Sequence, residues 1–449
     1  MKNLSLKNII SAVGGVYFGD PCLLEKTISA VTTDSRSVSE NCLFAAIRGE
    51  RSDGHDYLEK ALAEGALCAI AERVPSDCTL PVIEVKNTVT ALGDLAAFYR
   101  RQFQIPIIGI TGSVGKTTAK EMLFAVLSAR FRVHRTPANL NNELGVPLSL
   151  FGIEESHELA IIEMGISHFG EMHRLSEIVK PDMALYTVIG SAHLEFLGDL
   201  AGVLRAKTEM LEQLPENAVV FINGDDEYLK TIKCKQELCS FGLSENCEVR
   251  AENLRLLGTE GMELTIVAGE RHIEAKIFAY GVHMVSAALG AAAVGIKMGL
   301  TDEEIRRGLA AFVPVGSRNR IIKAGEITII DDCYNANPNS VSAAIDSLAL
   351  LSPRRVCILG DMGELGETAP RLHREIGVHA LEKGMELVLT CGELSKNTAE
   401  GAGNIARHFE TKAELLAALP SLIKPGDRVL VKASHSQKFE EIVEALKSI

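Results

Sequence analysis

Residues Ile107-Ile-Gly-Ile-Thr-Gly-Ser-Val-Gly-Lys-Thr-Thr118 decide how this chain folds. A β-branched apolar run breaks into glycines and then meets Lys116, Thr117 and Thr118. Beyond them Met122, Leu123, Val126 and Leu127 recur on one face of a helical pattern. That order describes a strand, a phosphate-cradling loop and a helix whose N-terminal N–H groups face anionic oxygens. Gly112, Ser113, Val114, Gly115, Lys116, Thr117 and Thr118 are therefore the expected ATP contacts. Lys116 would reach the β- and γ-phosphates, and the Thr117 hydroxyl would hold Mg²⁺. Ile110 stands where the general pattern has a glycine, so the loop is a tight variant. The competing reading is an ordinary strand-to-helix turn with a chance lysine, and Gly-Lys-Thr-Thr directly after a clean strand disfavours it.

A chain of 449 residues predicts two to four domains. Hydrophobic residues make up 47% and charged residues 23%, an ordinary globular balance. The formal charge of −13 argues against nucleic acid or an anionic membrane surface as partner. Small anionic substrates stay open, because a few local cations and helix N-termini can hold phosphates. The ten cysteines show neither CxxC nor zinc spacing and read as buried reduced thiols. No apolar run is long enough to span a bilayer. Lys2 and Lys7 precede a short, glycine-broken apolar stretch that fits an amphipathic helix better than a signal peptide. The expected address is the cytoplasm.

Pro106 opens the phosphate-loop strand after a helical run over 91–104, which puts a boundary near 104. Pro314-Val-Gly-Ser marks a second. The expected units are 1–104, 105–313 and 314–449. Strands are expected in the central unit at 106–111, 159–164, 183–189 and 219–223, with helices between them, and a further helix over 286–298. Such alternation predicts a doubly wound parallel sheet with ligands at the carboxyl ends of its strands. Residues 246 to 280 alternate with period two around turn signals and read as a small antiparallel patch. Strands at 327–332, 355–359, 387–391 and 428–432 predict a third, compact α/β unit. The fold class is thus α/β in three domains: a small N-terminal one, a central P-loop ATPase-type sheet and a Rossmann-like C-terminal one.

Two strands of the central unit lead into groups that do chemistry, Glu163-Met-Gly and Gly190-Ser-Ala-His193. In a parallel sheet these share one edge with Thr117. Hydroxyl and carboxylate oxygens suit Mg²⁺, and a second ion could take the imidazole. Two metals would fit phosphoryl transfer. In isolation Glu163 reads as a solvated strand end, His193 as a loop residue and Lys207 as a surface lysine. Asp225 and Asp226, after Asn223-Gly224, could contact nucleotide or shape the chain, and a turn is the simpler reading.

Here the chain resembles the Mur ligases, the ATP-dependent family that builds the peptidoglycan stem peptide. The phosphate loop alone reaches a wider group that includes folylpolyglutamate synthases. Asp331-Asp-Cys-Tyr-Asn-Ala-Asn-Pro338, Leu359-Gly-Asp-Met-Gly-Glu-Leu-Gly366 and Asn139-Leu-Asn-Asn-Glu-Leu-Gly-Val-Pro147 narrow the resemblance. They are similar to motifs of members that add D-alanyl-D-alanine to UDP-N-acetylmuramoyl-tripeptide. Asp34-Ser-Arg36 and Asp53-Gly-His55 resemble first-domain motifs of the family.

The resemblance implies roles by position. Lys116, Glu163, His193, Lys207 and Arg318 would be catalytic. Thr117, Glu163, His193 and Lys207 would hold two Mg²⁺ ions, with Lys207 carbamylated by CO₂. Arg318 and Asp332 would close over the γ-phosphate and the ribose. His283 would lie near adenine, in Gly281-Val-His-Met-Val-Ser-Ala287, which lacks two asparagines usual in the family. Ser35, Arg36, Asn141, Asn142, Asn335 and Asn337 would line the substrate site. The partners implied are small molecules, with the protein acting as a monomer. Near the C-terminus Lys432-Ala-Ser-His435 replaces the usual Lys-Gly-Ser-Arg. The other readings are the ligase that adds the third residue, a folylpolyglutamate synthase, or a nucleotide-binding protein without catalysis.

Overall fold

The structure is a computed structural model that describes residues 1–49, 52–75 and 78–449. Its strands form three sheets of five, nine and six strands. The strand Ile107–Thr111 is buried at every position, as its unbroken apolar run requires of a strand covered on both faces. It lies at the heart of the nine-stranded sheet, parallel to Leu159–Glu163 on one side and Met183–Tyr186 on the other. Val133–Arg135 closes the edge beyond Leu159–Glu163. Val219–Asn223 and Glu237–Gly242 continue the parallel set beyond Met183–Tyr186. The carboxyl ends of these strands therefore face one way, and Thr117, Glu163 and the segment leading to His193 share that edge.

The stretch expected as a small antiparallel patch is antiparallel, and it is joined to the central sheet. Val249–Leu256 pairs in parallel with Glu237–Gly242 and then antiparallel with Met262–Ala268, which pairs with Arg271–Ile277. Hydrogen bonding thus carries the central sheet through three further strands. The alternating pattern of 246–280 reports the half-exposed faces of those strands, and alternation alone cannot say which sheet they join.

Both flanking units are also mostly parallel. In the N-terminal sheet Val82–Glu84, Cys68–Ala71, Leu43–Ala45 and Val31–Thr32 run parallel, with Val16–Phe18 added antiparallel at the edge. In the C-terminal sheet the antiparallel edge strand is Arg320–Ala324, beside Ile327–Asp331. Asp427–Lys432, Arg354–Leu359, Leu387–Cys391 and Ala406–Phe409 complete that sheet in parallel. The lysine-flanked stretch near the N-terminus forms the helix Leu6–Val13, capped by the Ser5 hydroxyl and closed by Gly14 at φ 62°.

One apolar core runs through both the N-terminal and central units. Leu4, Leu6, Leu92 and Leu95 pack in the same cluster as Ile107, Ile162, Leu175 and Val220. The helix Thr88–Arg100 ties them, because the Tyr99 hydroxyl donates to Ile153 O at 2.8 Å and Arg100 Nε to Val179 O at 3.1 Å. The C-terminal unit buries two further clusters, one of which takes in Tyr280 of the central unit. Among the described residues no helix is long and apolar enough to cross a membrane.

The helix behind the phosphate loop, Lys116–Leu127, is held from outside by the helix Asp302–Ala310. A Cβ on Gly308 would overlap Val126 Cα and stand 2.8 Å from Ala125 O. Both are backbone atoms that cannot turn aside. Gly308→Ala should cost about 1–3 kcal/mol through forced separation of the helices, despite alanine's better helix propensity. A lowered urea midpoint with unchanged helical circular dichroism is the expected readout.

Candidate active site

The loop after Ile107–Thr111 is shaped by its glycines. Gly112 has φ 150°, and a Cβ there would overlap the Thr187 hydroxyl, which itself donates to Val114 O at 2.5 Å. Gly115, at φ 81°, turns the chain into the helix Lys116–Leu127. The amine of Lys116 folds back to donate to Gly112 O at 2.8 Å. Burial pushes that amine toward its neutral form; Glu163 opposes the shift and Arg318 adds to it. Ser113 donates its N–H to Val188 O at 2.7 Å, while its hydroxyl is shut from solvent without a partner among the described residues. A buried, unpaired hydroxyl in such a loop fits a phosphoryl oxygen as its missing partner.

Glu163 is the centre of the site. It is only 1% exposed. The Thr117 hydroxyl lies 2.9 and 3.0 Å from its two oxygens, and Asn141 Nδ2 donates to it at 2.7 Å. Lys120 Nζ stands 3.5 Å away. Sequence reasoning passed over Lys120, one turn along the helix from Lys116. Lys120 is fully buried and donates to Thr136 O and Ala138 O, both at 2.9 Å, and sits 3.2 Å from Glu121. Its signal was a lysine on the inward face of an apolar helix. Asn141, expected on the substrate, spends its amide on Glu163, and Asn142 caps the next turn by accepting from Gly145 N at 2.8 Å.

Among the described residues no three His, Cys, Asp or Glu side chains cluster as a ready-made metal cage. The donors that do converge are the Thr117 hydroxyl and the Glu163 carboxylate. Such hard oxygens fit Mg²⁺, which usually keeps water and phosphate in its remaining positions. His193 lines the same cavity, in a left-handed conformation at φ 56°, with Nδ1 2.5 Å from the Glu364 carboxylate. The plain reading of Lys207 as a surface lysine fails. On the helix Leu200–Thr208 it is 1% exposed. Burial first, then the charge of Lys116, drives its amine far toward the neutral form, against Glu171. His168 and Glu171, which the sequence did not single out, line the cavity and pair at 3.0 Å.

The other wall comes from the C-terminal unit. Arg318, Asp332, Asn335 and Asn337 share with Lys116 and Glu163 one cavity of about 990 Å³. The units thus stand together, with the phosphate loop and Arg318 facing one space. The Arg318 guanidinium lies 3.7 Å over the Tyr334 ring, which also packs on His435. Asp332 is held by Lys432 Nζ at 2.5 Å and accepts from Asn319 N at 3.1 Å. Asn335 turns its carbonyl onto Ala336 N, and Asn337 caps the helix Pro338–Ala349. His283 lines the cavity beside Asn319, whose amide also bonds Tyr280 O. Asp225 and Asp226 accept backbone N–H groups, as turn formers do.

From the N-terminal unit Ile47, Arg48 and Gly49 reach the cavity. Asp53 lies 3.5 Å from Arg48 and 2.6 Å from the buried His55, whose Nε2 accepts from Glu72 N. The amide and ring of His55 hold the Asp53 carboxyl down at about 2. Ser35 and Arg36, expected on the substrate, are outside the cavity lining. The Arg36 guanidinium is clamped on Asp34 at 2.7 and 2.9 Å.

Residues 27–100 match the Mur ligase family catalytic domain, 110–295 the Mur ligase middle domain, and 317–435 the glutamate ligase domain. The chain belongs to the Mur ligase family. It is 37% identical to the UDP-N-acetylmuramoyl-tripeptide--D-alanyl-D-alanine ligase of Escherichia coli K12, over 94% of each chain. It superposes on a MurF crystal structure from Acinetobacter baumannii with a TM-score of 0.93 and 31% identity, covering 99% of both chains. A MurF ligase from Thermotoga maritima in complex with ADP gives a TM-score of 0.83 at 29% identity, over 93% of this chain and 97% of that one. The match to Mur ligases spans all three sheets.

Within this wall the ammonium of Lys120 faces the Glu163 carboxylate, and both are shut from water. Removing the amine leaves a buried charge to bear its own desolvation cost. Lys120→Met should destabilise the protein by about 3–5 kcal/mol. Thermal and urea unfolding of the purified variant measure this, and a loss below about 1 kcal/mol would show that Glu163 does not depend on it.

Proposed function

We propose that this chain is the ATP-dependent ligase that joins D-alanyl-D-alanine to UDP-N-acetylmuramoyl-tripeptide, in peptidoglycan precursor synthesis. The products are UDP-N-acetylmuramoyl-pentapeptide, ADP and phosphate. The observation that carries this reading is the single cavity in which the phosphate loop, Glu163 and Arg318 meet, in a chain similar along its full length to ligases of that name. ATP is the nucleotide, as expected of a Mur ligase with this loop.

The chemistry follows from the charges. The terminal carboxylate of the tripeptide attacks the γ-phosphorus, the bond to the β-phosphate oxygen breaks, and an acyl phosphate and ADP form. The amine of D-alanyl-D-alanine, having lost a proton, then attacks the acyl carbon. The tetrahedral intermediate expels phosphate and leaves the amide. An anion attacking a polyanion needs its repulsion offset, and positioning with charge neutralisation does most of the work. Lys116 and Arg318 meet the transferring phosphoryl group from two units. Asp332 takes the ribose and His283 the adenine side. Asn141, Asn142, Ser35 and Arg36 are assigned to the UDP-sugar peptide, and Asn335 and Asn337 to substrate on the C-terminal wall.

Bound Mg²⁺ would supply further neutralisation between the phosphates, with Thr117 and Glu163 as its holders. His193 and Lys207 are assigned to a second ion, Lys207 as a carbamate. That modification needs a neutral amine, which loses a proton as its nitrogen bonds to CO₂. The burial of Lys207 supports this reading, since it disfavours the ammonium. The protein is read as a monomer of the cytoplasm.

Phosphate release tests the activity. It should require ATP, UDP-N-acetylmuramoyl-tripeptide and D-alanyl-D-alanine together. Release with UDP-N-acetylmuramoyl-dipeptide and a third amino acid instead would assign the chain to another ligase of the family, and no release with any acceptor would leave a nucleotide-binding protein. Lys207→Ala should lower turnover at least about 100-fold, with partial recovery on adding a short carboxylic acid. Full activity of that variant without additive would remove Lys207 from the mechanism.

A further inference from the structure

The motif Leu359-Gly-Asp-Met-Gly-Glu-Leu-Gly366 takes no part in the steps above and lies outside the cavity lining, yet it touches His193, which lines the cavity. It follows the C-terminal strand Arg354–Leu359, and Glu364 stands in the left-handed region at φ 60°. A bulky non-glycine residue there is strained, and is held only where surrounding contacts fix it. His193, across the boundary in the central unit, is in the same region at φ 56°. The two unusual residues meet: His193 Nδ1, shut from solvent, lies 2.5 Å from Glu364 Oε2, off the line of a hydrogen bond, and that nitrogen has no other partner among the described residues.

The meeting is not an isolated surface contact. Ser191 N donates to Asn339 Oδ1 at 2.8 Å, joining the same two units. Leu194 packs against the apolar cluster of the C-terminal unit. A Cβ on Gly366 would lie in ordinary contact with Glu195 Cα, at 3.5 Å, so the two segments run beside each other. The loop that presents His193 is therefore seated on the C-terminal unit, with the half-exposed Glu364 carboxylate beside the ring.

An imidazole that binds a metal through one nitrogen commonly has its other nitrogen fixed by a carboxylate, which sets the tautomer and the ring plane. With Nδ1 against Glu364, Nε2 is the nitrogen left for the cavity. We propose that Glu364 is a positioning residue that orients His193 across the domain boundary, so that the second ion's site is complete only when the C-terminal unit is docked. This rests on the assignment of His193 to that ion. The approach of the C-terminal unit would then do two things at once: bring Arg318 to the phosphates and set the ring that faces them.

The test is Mn²⁺ binding in the presence of ADP, followed by electron paramagnetic resonance, on the full-length wild type, Glu364→Ala, Glu364→Gln and His193→Ala. Glu364→Ala should weaken the second Mn²⁺ roughly 10- to 100-fold. Glu364→Gln, which keeps an acceptor oxygen, should recover part of that loss. His193→Ala should weaken the same ion at least as much. Wild-type binding by Glu364→Ala, with binding by His193→Ala impaired, overturns the proposal alone. Wild-type binding by both variants overturns the assignment of His193, and the proposal with it. Circular dichroism and thermal melting of each variant separate these outcomes from misfolding.

Discussion

A carboxylate at the end of a central strand, almost wholly out of water, exists only if its charge is met on every side. Glu163 is met by a hydroxyl from the phosphate-loop helix, an amide from the 139–147 motif and the buried amine of Lys120. These partners come from two stretches of chain far from Glu163 in sequence. They converge because Ile107–Thr111 and Leu159–Glu163 are parallel neighbours, so that the loop after one strand lies beside the last residue of the other. Parallel order, the tight glycine loop and the inward lysine are thus one constraint seen from three sides. The rest of the site, including the wall supplied by Arg318, is built around the pocket this carboxylate defines.

Much of that was legible in the sequence. The strands that carry the site read plainly, since parallel strands covered on both faces must be unbroken apolar runs, as Ile107–Thr111 and Val219–Asn223 are. Weaker strands escaped. Val133–Arg135 and Ala406–Phe409 are short edge strands with polar residues, and Arg320–Ala324 is an edge strand that carries Arg320 and Lys323. The antiparallel strands 249–277 were seen but not their attachment, because pairing between strands is a long-range fact that no local pattern encodes.

The site divides in the same way. Residues whose role follows from the local loop, Lys116 and Thr117, were readable from spacing. Lys207 was not, because its burial depends on the neighbours of its helix and not on Arg-Ala-Lys-Thr-Glu. Lys120 was hidden for the opposite reason: it looks like one more polar residue in a helix until the carboxylate opposite is known. Ser35 and Arg36 are assigned to substrate by motif position alone. Their positions match, yet the guanidinium is clamped on Asp34 and both residues lie apart from the cavity.

The shared core of the N-terminal and central units has a kinetic meaning. Two bodies fused through Tyr99, Arg100 and a common apolar cluster cannot shear past each other without exposing that cluster. The C-terminal unit has cores largely its own, joined to the rest through Tyr280 and Leu194. Arg318 and Glu364 both belong to it, so its approach would bring them to the site together. Partial assembly is therefore disfavoured: phosphate grip and exclusion of water arrive in one stroke. For an acyl phosphate, which water destroys, that synchrony shields the activated carbonyl from hydrolysis until the amine reaches it.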